Sequence, residues 1–309
     1  MRISATLALA NVWLYLRHPR PIARFVRRHH RLPNAASPRS YIERMLWRKL
    51  VDRNPMFVLA SDKLACKEYV RSVCPDLAVP ETLWSGDDPA EIPDSLLQRD
   101  VYLKANHASS FNRRVRPGDH DRAELERLAQ GWLSTVYGRV ESEWAYSEVR
   151  PRIFLEACVG DATGDLLELN VRAASGRPIR GSVIGHNKTP DQWSVYLDLD
   201  GRPVPGADGT QSELPPGVDV REPYLQALEY TARLGREFDY ARFDFFWNGR
   251  TLYAGEITIY PGAGISDLHD PEFRDVVLGG WDLRESHFLR TPARGIRGLY
   301  ADALRRRLS

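Results

Sequence analysis

The chain has 309 residues, 43% of them hydrophobic and 27% charged, with a formal net charge of +2. That composition excludes large-scale disorder and allows about two lobes around a substantial core. Three scattered cysteines, Cys66, Cys74 and Cys158, lack metal-like spacing and read as packing residues of a protein kept in a reducing compartment. No GxxxxGKS/T, HExxH or GxSxG stretch occurs, and no internal repeat.

The small net charge hides an asymmetry. Residues 1–42 hold eight arginines and no acid, leaving 35 basic against 41 acidic residues in the rest. The apolar run from Ile3 to Leu16 is shorter than the roughly 20 residues that span a bilayer, and RHPR follows where a signal peptide would carry a small-residue cleavage site. Two readings stay open. One is an interfacial helix with Trp13 and Leu14 at the headgroup boundary and Arg24, Arg27 and Arg28 facing anionic lipid, giving residues 1–31 peripheral contact with a membrane. The other is a packed N-terminal helix followed by a basic arm. Nucleic acid is not expected as a partner, because the basic cluster lacks interleaved aromatics and a recognisable binding module.

Residues 39–73 read as helices, the last opening at Ser61-Asp62 with an acid suited to the N-cap. Lys63 and Lys67 follow at i and i+4, on one helix face. VPETLW is a short strand, DDPAEIPD a loop, and VYLKANH (101–107) a strand running into a polar turn. Leu125, Leu128 and Trp132 mark an amphipathic helix. RIFLEACV, from Arg152, is a buried strand, and LLELNVRAASGRPIRGSVIG is a pair of strands. Gly/Pro-rich connections fill 201–217. A helix from Pro223 to about Glu237 buries Leu225, Leu228 and Ala232. A hairpin and a C-terminal helix ending in Arg305-Arg306-Arg307 complete the chain. Antiparallel pairs dominate, so the fold class is α+β.

The hairpin RFDFFWNGRTLYAGEITIYPG places Arg242, Asp244 and Glu256 among aromatic and β-branched residues around Asn248-Gly249. A two-residue loop would put Asp244 and Glu256 on opposite faces of the sheet. A three-residue loop gathers Arg242, Asp244, Glu256 and Thr258 on one face and leaves Ala241, Phe243, Phe245, Tyr253, Ile257 and Ile259 on the other. The clean apolar face favours the second arrangement. With Asp244 opposite Ala254, Glu256 lies about 7 Å along at about 3.3 Å per residue, and one hard divalent cation bridges both carboxylates. A solvated face carrying an Arg–Asp pair is the competing reading.

RSYIERMLWRKLVDRNPMF, SDKLACKEYV, VYLKANHASSFN, PRIFLEACV and ARFDFFWNGRTLYAGEITIYPGAG, in this order between about Pro38 and Asp267, resemble the ATP-grasp superfamily and within it the TupA-like amidoligases associated with teichuronopeptide biosynthesis. The resemblance implies a small α/β lid packed on a larger antiparallel-sheet core, with ATP between them. Residues 1–37 would be the basic segment, 38–150 the helices and lid, and 151–309 the core. It implies that Lys104, together with Lys63 or Lys67, contacts the nucleotide phosphates and that His107 and Ser109 belong to the lid loop. Glu156 would begin the adenine hinge, backbone groups at Cys158 and Val159 would bond the base, and Asp161 or Asp165 would meet the ribose. Asp244 and Glu256 would hold magnesium beside Thr258, with Arg242 next to the transferred phosphate.

The chain departs from that pattern in three places. His107-Ala108-Ser109-Ser110-Phe111-Asn112 replaces HGSGxN, losing two glycines that let backbone N–H groups approach phosphate. A lysine usual two residues after an acid near position 165 is absent, with Lys188 a substitute elsewhere. Lys67 stands where arginine is common. The expected activity is ATP-dependent, Mg2+-requiring ligation of a small-molecule carboxylate to an amine through an acyl phosphate, in cell-surface polymer or secondary-metabolite synthesis, in the cytoplasm and peripheral to the inner face of the membrane. The competing functions are a kinase using the same nucleotide site and a non-catalytic nucleotide-binding protein.

Overall fold

The computed structural model describes residues 2–160, 166–206 and 213–309. Asp161 and Asp165 therefore lie outside the described residues. Two antiparallel sheets organise the chain. The smaller has the order β1-β4-β2-β3, built from β1 (Thr82–Gly86), β2 (Val101–Ala105), β3 (Asn112–Val115) and β4 (Ile153–Ala157). Alternation in β2 is complete: Val101, Leu103 and Ala105 are buried, while Tyr102 and Lys104 point to the other face. The helix Arg122–Leu133 covers the buried side with Leu125, Ala129 and Trp132. Because β4 pairs with β1 and β2, this sheet does not end at residue 150; it includes the strand that carries Glu156.

The larger sheet runs β10-β9-β5-β6-β7-β8. Its members are β5 (Leu167–Ala174), β6 (Arg177–Gly185), β7 (Trp193–Leu197), β8 (Pro203–Val204), β9 (Ala241–Trp247) and β10 (Leu252–Thr258). Leu169, Val171, Val183, Val195, Phe243 and Phe245 share a core with Tyr224, Ala227 and Leu234 of the helix Arg221–Leu234. Burial of this one face follows from period-2 patterning. The opposite face carries the polar positions of the same strands.

The β9–β10 hairpin corrects the expected loop. Leu252 pairs with Trp247, so four residues rather than three turn the chain, and Asn248 Oδ1 accepts from the backbone N–H groups of Arg250 (3.1 Å) and Thr251 (2.8 Å). A four-residue loop reverses the parity near the turn: Tyr253 pairs with Phe246 and leaves the apolar face expected for it, and Ala254 faces Phe245, not Asp244. A bulge at Gly255-Glu256 then adds one residue. Beyond it Ile257 pairs with Phe243 and Thr258 with Arg242, so Arg242, Asp244 and Thr258 do share a face.

α1 (Arg2–Arg17) and α2 (Pro19–His29) pack into a second core with α3 (Tyr41–Leu50) and the C-terminal helix Gly295–Leu308. Leu14 is fully buried there, which overturns its expected place at a lipid headgroup boundary, and Arg24 pairs with Glu141 at 2.7 Å. α3 also fixes the far end of the hairpin. Arg48, wholly buried, donates to Ile259 O (2.7 Å) and Asp239 Oδ1 (2.8 Å), while Trp281 Nε1 donates to Asp239 Oδ2 (2.8 Å). Its guanidinium stacks 4.6 Å from the Trp281 ring.

Candidate functional site

Two short helices feed the cleft between the sheets. α4 (Pro55–Ser61) leads into α5 (Lys63–Val73), which starts at Asp62. The Asp62 carboxylate accepts from Leu64 N (2.9 Å), Ala65 N (3.3 Å) and Asn106 Nδ2 (3.0 Å), and Lys63 N donates to Asn106 O (3.0 Å). The N-cap thus locks the helix start to the end of β2. As a result Lys63 and Lys67 face Lys104 across the cleft.

Glu156 sits between the lysines. Lys67 Nζ lies 2.6 Å from its Oε2, and Lys104 Nζ bonds its Oε1. Lys67 also donates to Pro80 O (2.8 Å) and Thr82 Oγ1 (3.0 Å). Burial opposes the charge on Glu156, but Lys104 and then Lys67 hold its carboxyl below the ordinary value. Burial lowers the Lys67 ammonium in turn, with Glu156 opposing that shift. Lys63 donates to Ala108 O and stands 3.6 Å from Glu256 Oε1, and it is the main cause that lowers the Glu256 carboxyl. These groups line one cleft of about 560 Å³ with Tyr146 and Phe246.

Beside the cleft, Asp244 is gripped at both oxygens. Arg242 donates Nε to Oδ1 (2.6 Å) and a terminal nitrogen to Oδ2 (2.8 Å), and Thr258 Oγ1 donates to Oδ2 (3.0 Å). With its amide nitrogen turned to the carboxylates, Asn170 donates to Asp244 Oδ1 (2.6 Å) and Glu168 Oε1 (3.2 Å). Glu168 also accepts from Asn187 Nδ2 (2.5 Å). Burial first, and then the nearby Asp244 charge, push the Glu168 carboxyl up.

The donor set fits magnesium. Two carboxylates suffice for an ion whose other ligands are phosphates and waters, and no cluster of three or more His, Cys, Asp or Glu occurs among the described residues. All four lone-pair sites of Asp244 are occupied, so an ion there displaces one donor. Asn170 can be that donor, because a half-turn of its amide presents oxygen instead of nitrogen.

The other expected positions are placed as follows. The His107 ring is buried, with Nε2 3.1 Å from Trp132 O and Nδ1 3.2 Å from Asn106 Oδ1, and burial lowers its pKa. Ser109 is half-buried, and Lys188 is exposed on the β6–β7 connection. Ser110 adopts φ 62°, the left-handed conformation for which the lost glycine is suited. Cys158 Sγ contacts Gly160 O at 3.9 Å, and Val159 O accepts from Asn248 Nδ2 at 3.0 Å, tying the segment after β4 to the hairpin turn. Sequence reasoning missed Glu168, Asn170, Asn187 and the Asn248 tie. The alternation Glu168, Asn170, Arg172 in LLELNVRAAS was the available signal, since it puts all three on one strand face.

The model of the TupA-like ATP-grasp family matches residues 43–281. No curated protein matches the chain. Among solved structures, the ATP-grasp ligase PsnB with its minimal precursor is 14% identical, with a TM-score of 0.40, over 82% of this chain and 62% of that one. The macrocyclase MdnC, bound with precursor peptide MdnA, from Microcystis aeruginosa is 15% identical over 74% and 62% (TM-score 0.40). D-alanine–D-alanine ligase from Bacillus anthracis, complexed with ATP, is 12% identical over 72% and 64% (TM-score 0.39). The chain therefore spans less than two thirds of these proteins' lengths. The family match covers well over half of the chain, its motifs fall on both sides of the lysine- and carboxylate-lined cleft, and the chain belongs to the TupA-like ATP-grasp family.

Proposed function

We propose that the protein is an ADP-forming carboxylate–amine ligase. The observation that carries the reading is the convergence of Lys63, Lys67 and Lys104 on one cleft beside the Arg242–Asp244–Thr258 platform. Among the described residues, the three ammonium groups pair with two carboxylates, Glu156 and Glu256. A polyphosphate entering the cleft replaces internal carboxylates as their partner, and Lys104 with Lys63 or Lys67 grips it. Glu156 and the backbone of Cys158 and Val159 border the adenine, the latter held in place through Asn248. Asp244 and Glu256, with Thr258 adjacent, would hold magnesium, which supplies charge neutralisation at the phosphates.

Arg242 and Lys104 then orient the substrate carboxylate and the γ-phosphate in line. Phosphoryl transfer depends on such positioning and neutralisation more than on covalent help from the protein. One carboxylate oxygen bonds phosphorus as the bond to ADP breaks. The amine next attacks the acyl carbon and expels phosphate, and Arg242 neutralises the tetrahedral oxyanion. The small sheet closing on the large one keeps water from the acyl phosphate.

Incubation of the full chain with Mg–ATP, pooled amino and uronic acids and hydroxylamine tests the proposal. Hydroxamate formed by wild type and reduced at least 100-fold in Glu256→Gln is the expected result. ADP with a phosphate ester and no hydroxamate would transfer the site to kinase chemistry.

The acid-free N-terminal segment supports a second element of the proposal, peripheral attachment to an anionic bilayer. Leu9, Val12, Trp13 and Leu16 form the outward stripe of α1, each more than half exposed, and Arg17, Arg20, Arg27 and Arg28 are exposed around it. Among the described residues no helix is long and apolar enough to cross a membrane.

A further inference from the structure

The register of the large sheet creates an arrangement that the ligase reading does not use. Arg172 on β5 pairs directly with Arg242 on β9 and with Arg180 on β6, so three arginines stand in one row across adjacent strands. Directly paired residues share a face, and this is the face of Asp244. The next row along the strands is Asp244, Asn170, Ser182 and Tyr196, paired in that order. Like charges directly opposite each other repel, so three adjacent guanidinium groups need anions near them.

The counter-charges present fall short. Asp244 answers Arg242 with two hydrogen bonds. Among the described residues Arg180 pairs with Glu272 alone, at 3.4 Å, whose side chain is 73% exposed and gives an ion pair weakened by water. Arg172 has no carboxylate partner among the described residues. Its guanidinium lies 4.6 Å from the Phe273 ring, and its Nε is buried without a hydrogen-bond partner. Phe273, on the helix Pro271–Gly280, stacks on Tyr196 at 4.3 Å and forms an apolar wall beside the row.

We propose that Arg172 and Arg180 form a second anion subsite that seats a further carboxylate of the acid substrate, which is therefore a dicarboxylate such as an acidic amino acid. Neighbouring strands are about 4.8 Å apart. An anion between Arg172 and Arg180 consequently sits about 5–10 Å from the Arg242–Asp244 pair, within reach of a five- to seven-carbon diacid whose other carboxylate meets the γ-phosphate. Planar guanidinium forks suit this task, and the Phe273 wall keeps the Arg172 fork from collapsing onto its neighbours. The inference rests on the ligase reading only for which carboxylate is activated.

Calorimetric titration of the full chain, without nucleotide, separates the two. The ligands are succinate, glutarate and adipate, each against the monocarboxylate of the same carbon count. At least one diacid is expected to bind ten-fold or more tightly than its monoacid. Arg172→Gln and Arg180→Gln should each erase that difference, Arg180→Lys should keep part of it, and Glu272→Gln, which removes the competing carboxylate, should enlarge it. Circular dichroism melts of each variant exclude unfolding as the cause. Equal binding of diacids and monoacids, or no binding by either, overturns the subsite, as does a diacid preference that survives both glutamine variants. Loss of hydroxamate formation with diacid preference intact would instead overturn only the ligase reading.

Discussion

At the scale of single residues, each site side chain is held by a partner that a ligand can replace. Glu156 pairs with Lys67 and Lys104, and Glu256 with Lys63; in the proposed reaction a polyphosphate takes their place. Ser110 is different, because its constraint is in the backbone. At φ 62° it accepts a conformation that disfavours a side chain by roughly 1–2 kcal/mol. Replacing Ser110 with Gly should therefore raise stability in urea melts by about 1 kcal/mol and leave the KM for ATP within three-fold. A loss of stability would mean that the serine hydroxyl, not the backbone, sets this turn. Helical spacing after the Ser61-Asp62 cap put Lys63 and Lys67 on one face, whereas Lys104 and Glu156 were singled out by the family resemblance. His107, expected in the lid loop, is buried with its Nε2 3.1 Å from Trp132 O.

The hairpin is the element on which the site depends. Its core face was legible at Phe243, Phe245 and Ile257, which leave one side for the core, but not at Tyr253, which pairs with Phe246 on the other face. Its loop length was not legible. Asn248-Gly249 is a turn signal that two-, three- and four-residue loops share, and the extra residue is compensated only by the bulge at Gly255-Glu256. Gly255 makes that bulge possible: a Cβ there would meet Asp244 O at 2.6 Å. The Gly255→Ala variant should remain folded and weaken Mg–ATP binding at least ten-fold, read by fluorescence of a nucleotide analogue, as the strand shift moves Glu256 away from Asp244. Unchanged binding would show that the bulge does not place the metal pair. The same alternation applied to β5 would have found Glu168 and Asn170, but one strand in isolation does not reveal which neighbour it pairs with.

For the whole molecule, the two sheets and the α4–α5 pair meet around a cleft whose charged groups, Lys63 with Lys67, Lys104, Glu156 and Glu256, come from four separate stretches of chain. The α+β class followed from antiparallel signals, and the family resemblance from the order of its pieces. The packing of α1 did not follow, because a helix apolar on every side gives no period to say which side is inward. Its inner face, through Leu7 and Leu14, belongs to the core with the C-terminal helix. Deleting residues 1–30 would thus remove core, so surface substitutions are the better probe of attachment. Trp13→Ser with Leu16→Ser should abolish co-sedimentation with vesicles containing anionic lipid and leave the melting temperature within about 2 °C, the shift caused by about 1 kcal/mol in a chain of this length. Binding retained by the double variant would assign the stripe to another partner.

If ATP activates a carboxylate in this cleft, as proposed, one carboxylate oxygen must end in the released phosphate. Supplying acids labelled with 18O in the carboxylate, together with Mg–ATP and an amine pool, and analysing the released phosphate by mass spectrometry tests it most directly. Transfer of one 18O to inorganic phosphate, matched to ADP formed, is the expected result, because the acyl phosphate bridging oxygen leaves with phosphate when the amine attacks. ADP formation with unlabelled phosphate, or with the phosphoryl group retained on a hydroxyl, would contradict the account.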